Sequence, residues 1–386
     1  MDKLYFTEEH LMLRDMVREF AINEVRPISQ DIDKKSKFPE NNIKKMAELG
    51  LMGIPWDPKY SGTGMDTRAL VIAIEEIGKE CASTAATMMA HTSLGTAPIA
   101  IFGNDEQKKK YLPMLASGEV LGAFGLTEPE AGSDAGNTQT RAIKHNDEYI
   151  INGQKVFCTN AGKAGTIIIT AVIEDNKEDK GIGAFIIDSD TKGLKIGEPE
   201  NKMGWKGSDT RSVYFEDMKV SEKALLGNPS KGFKQFLQTL TGGRITIGAL
   251  SLGTAQGAFE RAVKYSFERE AFSKPINKFQ GISFKLSDMA LKIEAAKHLV
   301  YHAAWKKDNN MDVIKEAAMA KLFASESAMS ICTEAIQVLG GFGYIHEYDV
   351  ERFFRDAKIL EIGEGTSEIQ RIIIAREILK LYQPNE

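Results

Sequence analysis

Cysteine is scarce in this chain and stands apart: Cys81, Cys158 and Cys332 share no Cys-x-x-Cys spacing. That spacing argues against a disulfide framework or a thiolate metal site and fits a reducing compartment. No apolar run is long enough to span a bilayer. The N-terminus, Met1-Asp-Lys-Leu-Tyr-Phe-Thr-Glu-Glu9, is neither an apolar signal core nor an arginine-rich transit segment. A cytoplasmic protein with no membrane partner is expected. An excess of one charge sign is also missing, since the formal net charge is -5 over 386 residues and the basic side chains are dispersed. Neither a nucleic-acid footprint nor a polybasic patch follows from that. Dinucleotide and phosphate-loop signatures are absent as well. No Gly-x-Gly-x-x-Gly follows a strand pattern, and after Gly227-Asn-Pro-Ser-Lys-Gly232 come Phe233 and Lys234, where a phosphate loop needs Lys and Ser/Thr. His298 and His302 share a helix face, but no third ligand accompanies them, so no metal is expected.

What is present is an ordinary globular composition, 42% hydrophobic and 27% charged, in a chain long enough for about two or three domains. Its hydrophobic period changes twice. Up to residue 120 the pattern is helical: Leu13, Met16, Val17 and Phe20 share a face, Ile43, Met46 and Leu49 repeat it before Gly50, and a third helix is predicted over Arg68 to Gly78. Pro113 and Gly118 are expected to close this region after the charged stretch Asp105 to Lys110. Residues 121–228 read as short strands: Leu121 to Leu126, Thr138 to Ile143, Tyr149 to Ile151 with an Asn152-Gly153 turn, Val156 to Thr159, Thr166 to Ile173, Ala184 to Asp188, and Ser212 to Phe215. Residues 229–386 return to long helical patterns, including Ile282 to Lys306 and Ile314 to Leu339. The expected fold is mainly α with a central β domain: an N-terminal helical domain, a middle β-sandwich or barrel, and a C-terminal four-helix bundle.

Three segments carry chemistry. Ile362-Gly-Glu-Gly-Thr-Ser-Glu-Ile-Gln-Arg371 sets Glu364 between two glycines, with Thr366 or Ser367 able to cap the apolar helix that follows. Glu364 is the candidate base; the competing reading is a carboxylate that complements a helix dipole in solvent. Phe124-Gly-Leu-Thr-Glu-Pro-Glu-Ala-Gly-Ser-Asp-Ala-Gly136 runs from a strand into a loop rich in donors, which suits a polar planar ligand. In Asn152-Gly-Gln-Lys-Val-Phe-Cys-Thr-Asn160, Phe157 and Thr159 alternate with Cys158 and would share one strand face.

With Lys202-Met-Gly204, Gly243-Arg-Ile245, Glu268-Arg-Glu-Ala-Phe-Ser-Lys-Pro-Ile276, Gln337-Val-Leu-Gly-Gly-Phe-Gly-Tyr344, Arg355-Asp-Ala-Lys-Ile359 and Glu364-Gly-Thr366, these blocks occur in the order in which the chain resembles an acyl-CoA dehydrogenase over essentially its whole length. The resemblance implies an FAD enzyme that removes two hydrogens from the α and β carbons of an acyl-CoA thioester. Glu364 would take the α proton, hydride would pass from the β carbon to flavin N5, and an electron-transfer flavoprotein would collect the electrons. By the same resemblance Phe124, Leu126, Thr127 and Ser133 contact the flavin, Phe157, Cys158 and Thr159 line its ring, and Thr366 and Glu368 contact FAD from the catalytic loop. Arg269, Phe272, Gln280, Gln337, Gly340 and Gly341 hold the pyrophosphate and adenosine across a subunit boundary, which implies a homotetramer built as a dimer of dimers. Ser133, Thr241, Arg244 and Gly365 would contact the substrate, although a buried structural ion pair is the competing reading of Arg244. The departures are Gly363 where short-chain relatives carry Tyr, Thr241 where they often carry Asp, Phe157 for Trp, and Ser273 for Gly. Gly363 suggests a bulkier, α-branched or cyclic acyl group. An enoyl-CoA reductase running in reverse and an oxygen-using oxidase are the alternatives.

Overall fold

A computed structural model describes residues 2–174 and 181–383. The first helical region contains α1 (Asp2–Tyr5), α2 (Glu8–Phe20), α3 (Ser29–Lys35), α4 (Glu40–Glu48), α5 (Thr67–Gly78), α6 (Ala82–Met89), α7 (Ala97–Phe102) and α8 (Asp105–Ser117). Helix α2 starts at a capping box in which Thr7 and His10 satisfy each other's backbone N–H groups. Its Leu13, Val17 and Phe20 are buried, as their spacing predicts. Gly50 follows α4 at φ 73°, a left-handed position that glycine takes without strain. Of the two residues expected to close the region, Pro113 lies inside α8 and Gly118 is where that helix stops. The helix begins at an Asn104–Gln107 capping box.

The sheet holds β1 (Leu121–Gly125), β2 (Arg141–His145), β3 (Glu148–Thr159), β4 (Ala164–Glu174), β5 (Gly181–Asp188), β6 (Leu194–Pro199) and β7 (Thr210–Ser221), in the order β1-β4-β2-β3-β7-β6, with β5 also on β4. Asn152-Gly153 is not a hairpin turn. It lies within β3, where the register against β7 shifts and Asn152 bonds the Asp217 backbone and side chain. Strand β4 is buried on both faces: Ile167 and Ile169 enter the β core, whereas Ile168 packs with Ile186 against Leu112, Leu115 and Phe236 of the helices. A continuous apolar run is the signature of such a strand.

The chain then forms α9 (Gly232–Glu268), a hairpin of β8 (Glu270–Ala271) and β9 (Lys274–Pro275), α10 (Gln280–Asp308), α11 (Ile314–Leu339), α12 (Val350–Lys358) and α13 (Ser367–Leu381). Helix α11 is central and packs against α9, α10, α12 and α13. Close backbone contacts tie the three regions together. A Cβ on Gly95 would stand 2.4 Å from the Gly122 carbonyl carbon, and His91 beside it accepts from the Gly122 N–H at 2.9 Å. A Cβ on Gly204 would meet the Arg355 carbonyl oxygen at 2.4 Å, and Asp356 accepts from the Trp205 N–H at 2.6 Å. Lys202-Met-Gly204 and Arg355-Asp-Ala-Lys thus meet at one domain junction.

Candidate active site

After α12 a single 3-10 turn (Ile359–Glu361) delivers the chain to Glu364, which has φ 53°, and then to Gly365 at φ 95°. A left-handed glutamate costs on the order of 1 kcal/mol, so neighbouring groups must hold it. Thr366 caps α13 by accepting from the Ile369 N–H at 3.4 Å. Gln370 Nε2 donates to the carbonyl oxygens of Gly365 at 2.8 Å and Glu364 at 3.4 Å. From α11, Lys321 Nζ donates to the same Gly365 oxygen at 2.8 Å.

The loop directs the Glu364 side chain inward, against α9. A Cβ on Gly243 would stand 1.8 Å from Glu364 Oε2, so the carboxylate occupies the space that a side chain on Gly243 would need. Both carboxylate oxygens are buried and neither has a hydrogen-bond partner among the described residues. Burial pushes the Glu364 carboxyl up to about 7, against the opposing pull of Lys321 and Arg244. The solvent-facing helix ornament is thereby ruled out. Arg244 is buried; its Nη1 donates to Thr241 Oγ1 at 3.3 Å while its Nε is unpartnered. Among the described residues it makes no ion pair, so the buried structural pair is not found.

A second surface forms around β1 and β3. Phe124 stacks on Phe236 with ring centroids 4.2 Å apart. Leu126 and Thr127 leave β1 half-buried, and Ser133 is exposed in the following loop. That loop is anchored by a pair the motifs contain but sequence reasoning gives no role: Lys155 Nζ lies 2.6 Å from Glu128 Oε1, both side chains being almost wholly buried. Glu128 also accepts from the Gln139 N–H and the Thr140 hydroxyl. The register of β3 shifts between Lys155 and Cys158, and Phe157 sits there at φ 58° with 65% of its surface exposed. Cys158 turns the other way. Its thiol lies in the β core, where burial pushes it up to about 12, so only its backbone can face a ligand.

A third surface is a groove of about 550 Å³ lined by Tyr265, Arg269, Phe272, Gly340, Gly341 and Phe342, among others. Gln280 and Gln337 are exposed nearby, at the start of α10 and the end of α11. No residue of the Glu364 loop lines the groove, so this chain alone does not bring the two sets together.

Three family descriptions match in sequence order: acyl-CoA dehydrogenase N-terminal domain over residues 7–119, middle domain over 123–218 and C-terminal domain over 230–379. A probable acyl-CoA dehydrogenase of Bacillus subtilis is 54% identical, the match covering 97% of this chain and 99% of the relative. The chain belongs to the acyl-CoA dehydrogenase family. A 3-(aryl)acrylate reductase of Clostridium sporogenes is 45% identical over 98% of this chain and all (100%) of the relative. The solved butyryl-CoA dehydrogenase from Megasphaera elsdenii superposes with a TM-score of 0.94 at 42% identity, covering 97% of this chain and 99% of that one.

Acyl-CoA dehydrogenases are FAD-dependent, and FAD is the cofactor here. The residues present fit it. The Arg269 guanidinium lies 5.7 Å from the Phe342 ring centroid and has no ion-pair partner among the described residues, so a surface salt bridge is not its role. A Cβ on Gly340 or Gly341 would meet nothing within 4 Å, leaving open backbone beside that cation. An unpaired arginine over open backbone suits a pyrophosphate. In the β8–β9 hairpin both turn residues, Phe272 at φ 51° and Ser273 at φ 62°, are left-handed, and Phe272 is 90% exposed. An aromatic side chain so displayed suits a contact with a second copy. Arg269→Ala is therefore expected to loosen FAD and weaken oligomerisation together, read by flavin retention on gel filtration. Unchanged retention would remove Arg269 from the cofactor site.

Proposed function

We propose that this enzyme dehydrogenates a short, branched or cyclic acyl-CoA to the 2-enoyl-CoA, with Glu364 as the base. The observation that carries this reading is a buried carboxylate, without a hydrogen-bond partner among the described residues, on a strained loop. The α C–H proton goes to Glu364, the α,β double bond forms, and FAD, when bound, accepts the hydride that leaves the β carbon. A carboxyl raised to about 7 is partly ionised at neutral pH and, once ionised, is basic enough to take a proton. The Glu364 backbone N–H, with a ribityl hydroxyl as in the family, would meet the enolate oxygen, while Ser133, Thr241, Arg244 and Gly365 contact the substrate. Phe124, Leu126, Thr127, Phe157 and Thr159, with Thr366 and Glu368, would hold the flavin half of FAD. Gln280, Gln337, Gly340, Gly341, Arg269 and Phe272 of another copy would hold the rest, in a homotetramer that passes electrons to an electron-transfer flavoprotein. Among the described residues no helix is long and apolar enough to cross a membrane; a cytoplasmic site of action accords with the scattered cysteines.

Gly363 bears on the acyl group. Its φ is not left-handed, and an added Cβ would meet only the Ile359 carbonyl oxygen, at 3.4 Å. The backbone tolerates a side chain there, so the missing one leaves space rather than relieving strain. Gly363→Tyr is expected to cut kcat/KM for branched or cyclic acyl-CoAs by about tenfold or more, the scale on which pockets discriminate extra carbons, while sparing butyryl-CoA. Equal losses on both classes would place the selectivity elsewhere. A panel of acyl-CoAs scored by anaerobic flavin bleaching tests the assignment as a whole. The reverse reaction is the second reading, favoured by the likeness to the arylacrylate reductase; the enzyme's equilibrium with its electron partner distinguishes the directions.

A further inference from the structure

We propose that Lys321 is a positioning residue for Glu364, fixing the catalytic loop through the Gly365 carbonyl and keeping a positive charge on the carboxylate. The proposal rests on the reading of Glu364 as the base. Lys321 lies about two turns into α11, and its side chain is fully buried. A buried ammonium needs strong compensation. Yet among the described residues its ammonium donates to a single backbone carbonyl, that of Gly365, which Gln370 also engages from α13.

The surrounding charges explain the choice of a cation. Facing Glu364 are Arg244 from α9 and Lys321 from α11. Facing Lys321 are Glu364, Glu361 from the turn before the loop, Arg244, and Glu326 on its own helix; Glu368 and Arg376 of α13 lie further out, near Lys321 and Arg244 respectively. Burial lowers Lys321 to about 8, so it still carries its proton at neutral pH. Its field opposes the burial that raises Glu364. Gln370 shares the mechanical task but carries no charge. The two donors to one oxygen are therefore separable: both hold the left-handed turn, and one of them also sets the basicity of the carboxylate.

The test uses FAD-loaded enzyme and two readouts: the pH midpoint of anaerobic flavin bleaching by butyryl-CoA, and exchange into D2O of the α protons of a 3-thia-acyl-CoA. The sulfur leaves that analogue no β hydride to transfer, so exchange reports proton abstraction alone. Lys321→Met is expected to move both midpoints upward by about one pH unit, roughly a fivefold loss of ionised base at pH 7. Lys321→Arg is expected to keep the wild-type midpoint. Gln370→Leu is expected to slow both processes without moving the midpoint. An unmoved midpoint in Lys321→Met overturns the proposal, as does a midpoint that moves equally in Gln370→Leu. If Lys321→Met does not fold, a shifted midpoint in Lys321→Arg overturns it and an unshifted one beside slowed Gln370→Leu supports it. Glu364→Gln is run in parallel: α-proton exchange at the wild-type rate in that variant would defeat the base assignment itself, whereas its loss together with an unmoved Lys321→Met midpoint would defeat only the role of Lys321.

Discussion

Glu364→Gln is expected to fold, retain FAD and bind acyl-CoA, yet lose flavin bleaching by roughly 10²–10⁴-fold, the range over which a positioned base contributes. Neither Glu364 oxygen has a hydrogen-bond partner among the described residues, so the amide breaks no bond seen there. Wild-type bleaching should rise with pH through about 7, because only the ionised carboxylate can take the proton and burial pushes its titration up to about 7. Stability should move the opposite way. The folded-state value lies above the ordinary 4.5, so Glu364 adds stability below about pH 4.5 that is lost as pH climbs through about 7. At pH 8 the glutamine variant should therefore melt at a higher temperature than wild type, although it is inactive. Activity near wild type in this variant would end the assignment, whatever the melting data show.

How much of this was legible in the sequence depended on whether a feature is local. Thr7, Asn104 and Thr366 cap helices through contacts three residues away, and such signals survive in the sequence. The edge strand β6, Leu194-Lys-Ile-Gly-Glu-Pro199, was not predicted: a glycine and a proline dilute its alternation, and nothing local reveals that β7 covers one side. The bounds of helix α6 are not legible for the converse reason. Every residue of α6 is buried, so Ala82-Ser-Thr-Ala-Ala-Thr-Met-Met89 has no polar face to set a period. The Asn152-Gly153 misreading shows turn chemistry serving a bulge: Gly153 has φ 141°, and a Cβ there would meet Thr140 Oγ1 at 2.6 Å.

The site divides along the same line. Glu364 and Phe157 stand out both in the residues and by resemblance, Arg269 by resemblance alone, and the structure adds a buried carboxylate, a guanidinium beside open glycines and an exposed aromatic at a bulge. Lys321 and the Glu128–Lys155 pair gave no comparable signal, because a lysine in an amphipathic helix or a strand reads as solvated until its neighbours are known. The resemblance puts Cys158 on the ring, whereas its thiol lies in the β core beside the register shift at Phe157.

Gly243→Ala should separate the place of the carboxylate from its presence. In α9 the substitution suits the backbone and by helix propensity alone would stabilise by about 1 kcal/mol. Its methyl group, however, would stand 1.8 Å from Glu364 Oε2 and 3.3 Å from Leu94 Cδ2. The atom in the way is the end of a flexible side chain, so the carboxylate moves and the fold stays. A displacement of about 1 Å can cost on the order of 10²-fold in rate. The expected result is a variant with wild-type melting and FAD content whose single-turnover bleaching falls by about that factor, with Glu364 intact. Bleaching at the wild-type rate would mean that the carboxylate acts from somewhere other than the recess Gly243 provides. Loss of activity with loss of FAD would instead place the damage in the cofactor site. The glycine beside Arg244 is then part of the base's geometry: α9 supplies no side chain at the position where the loop after α12 supplies the acid.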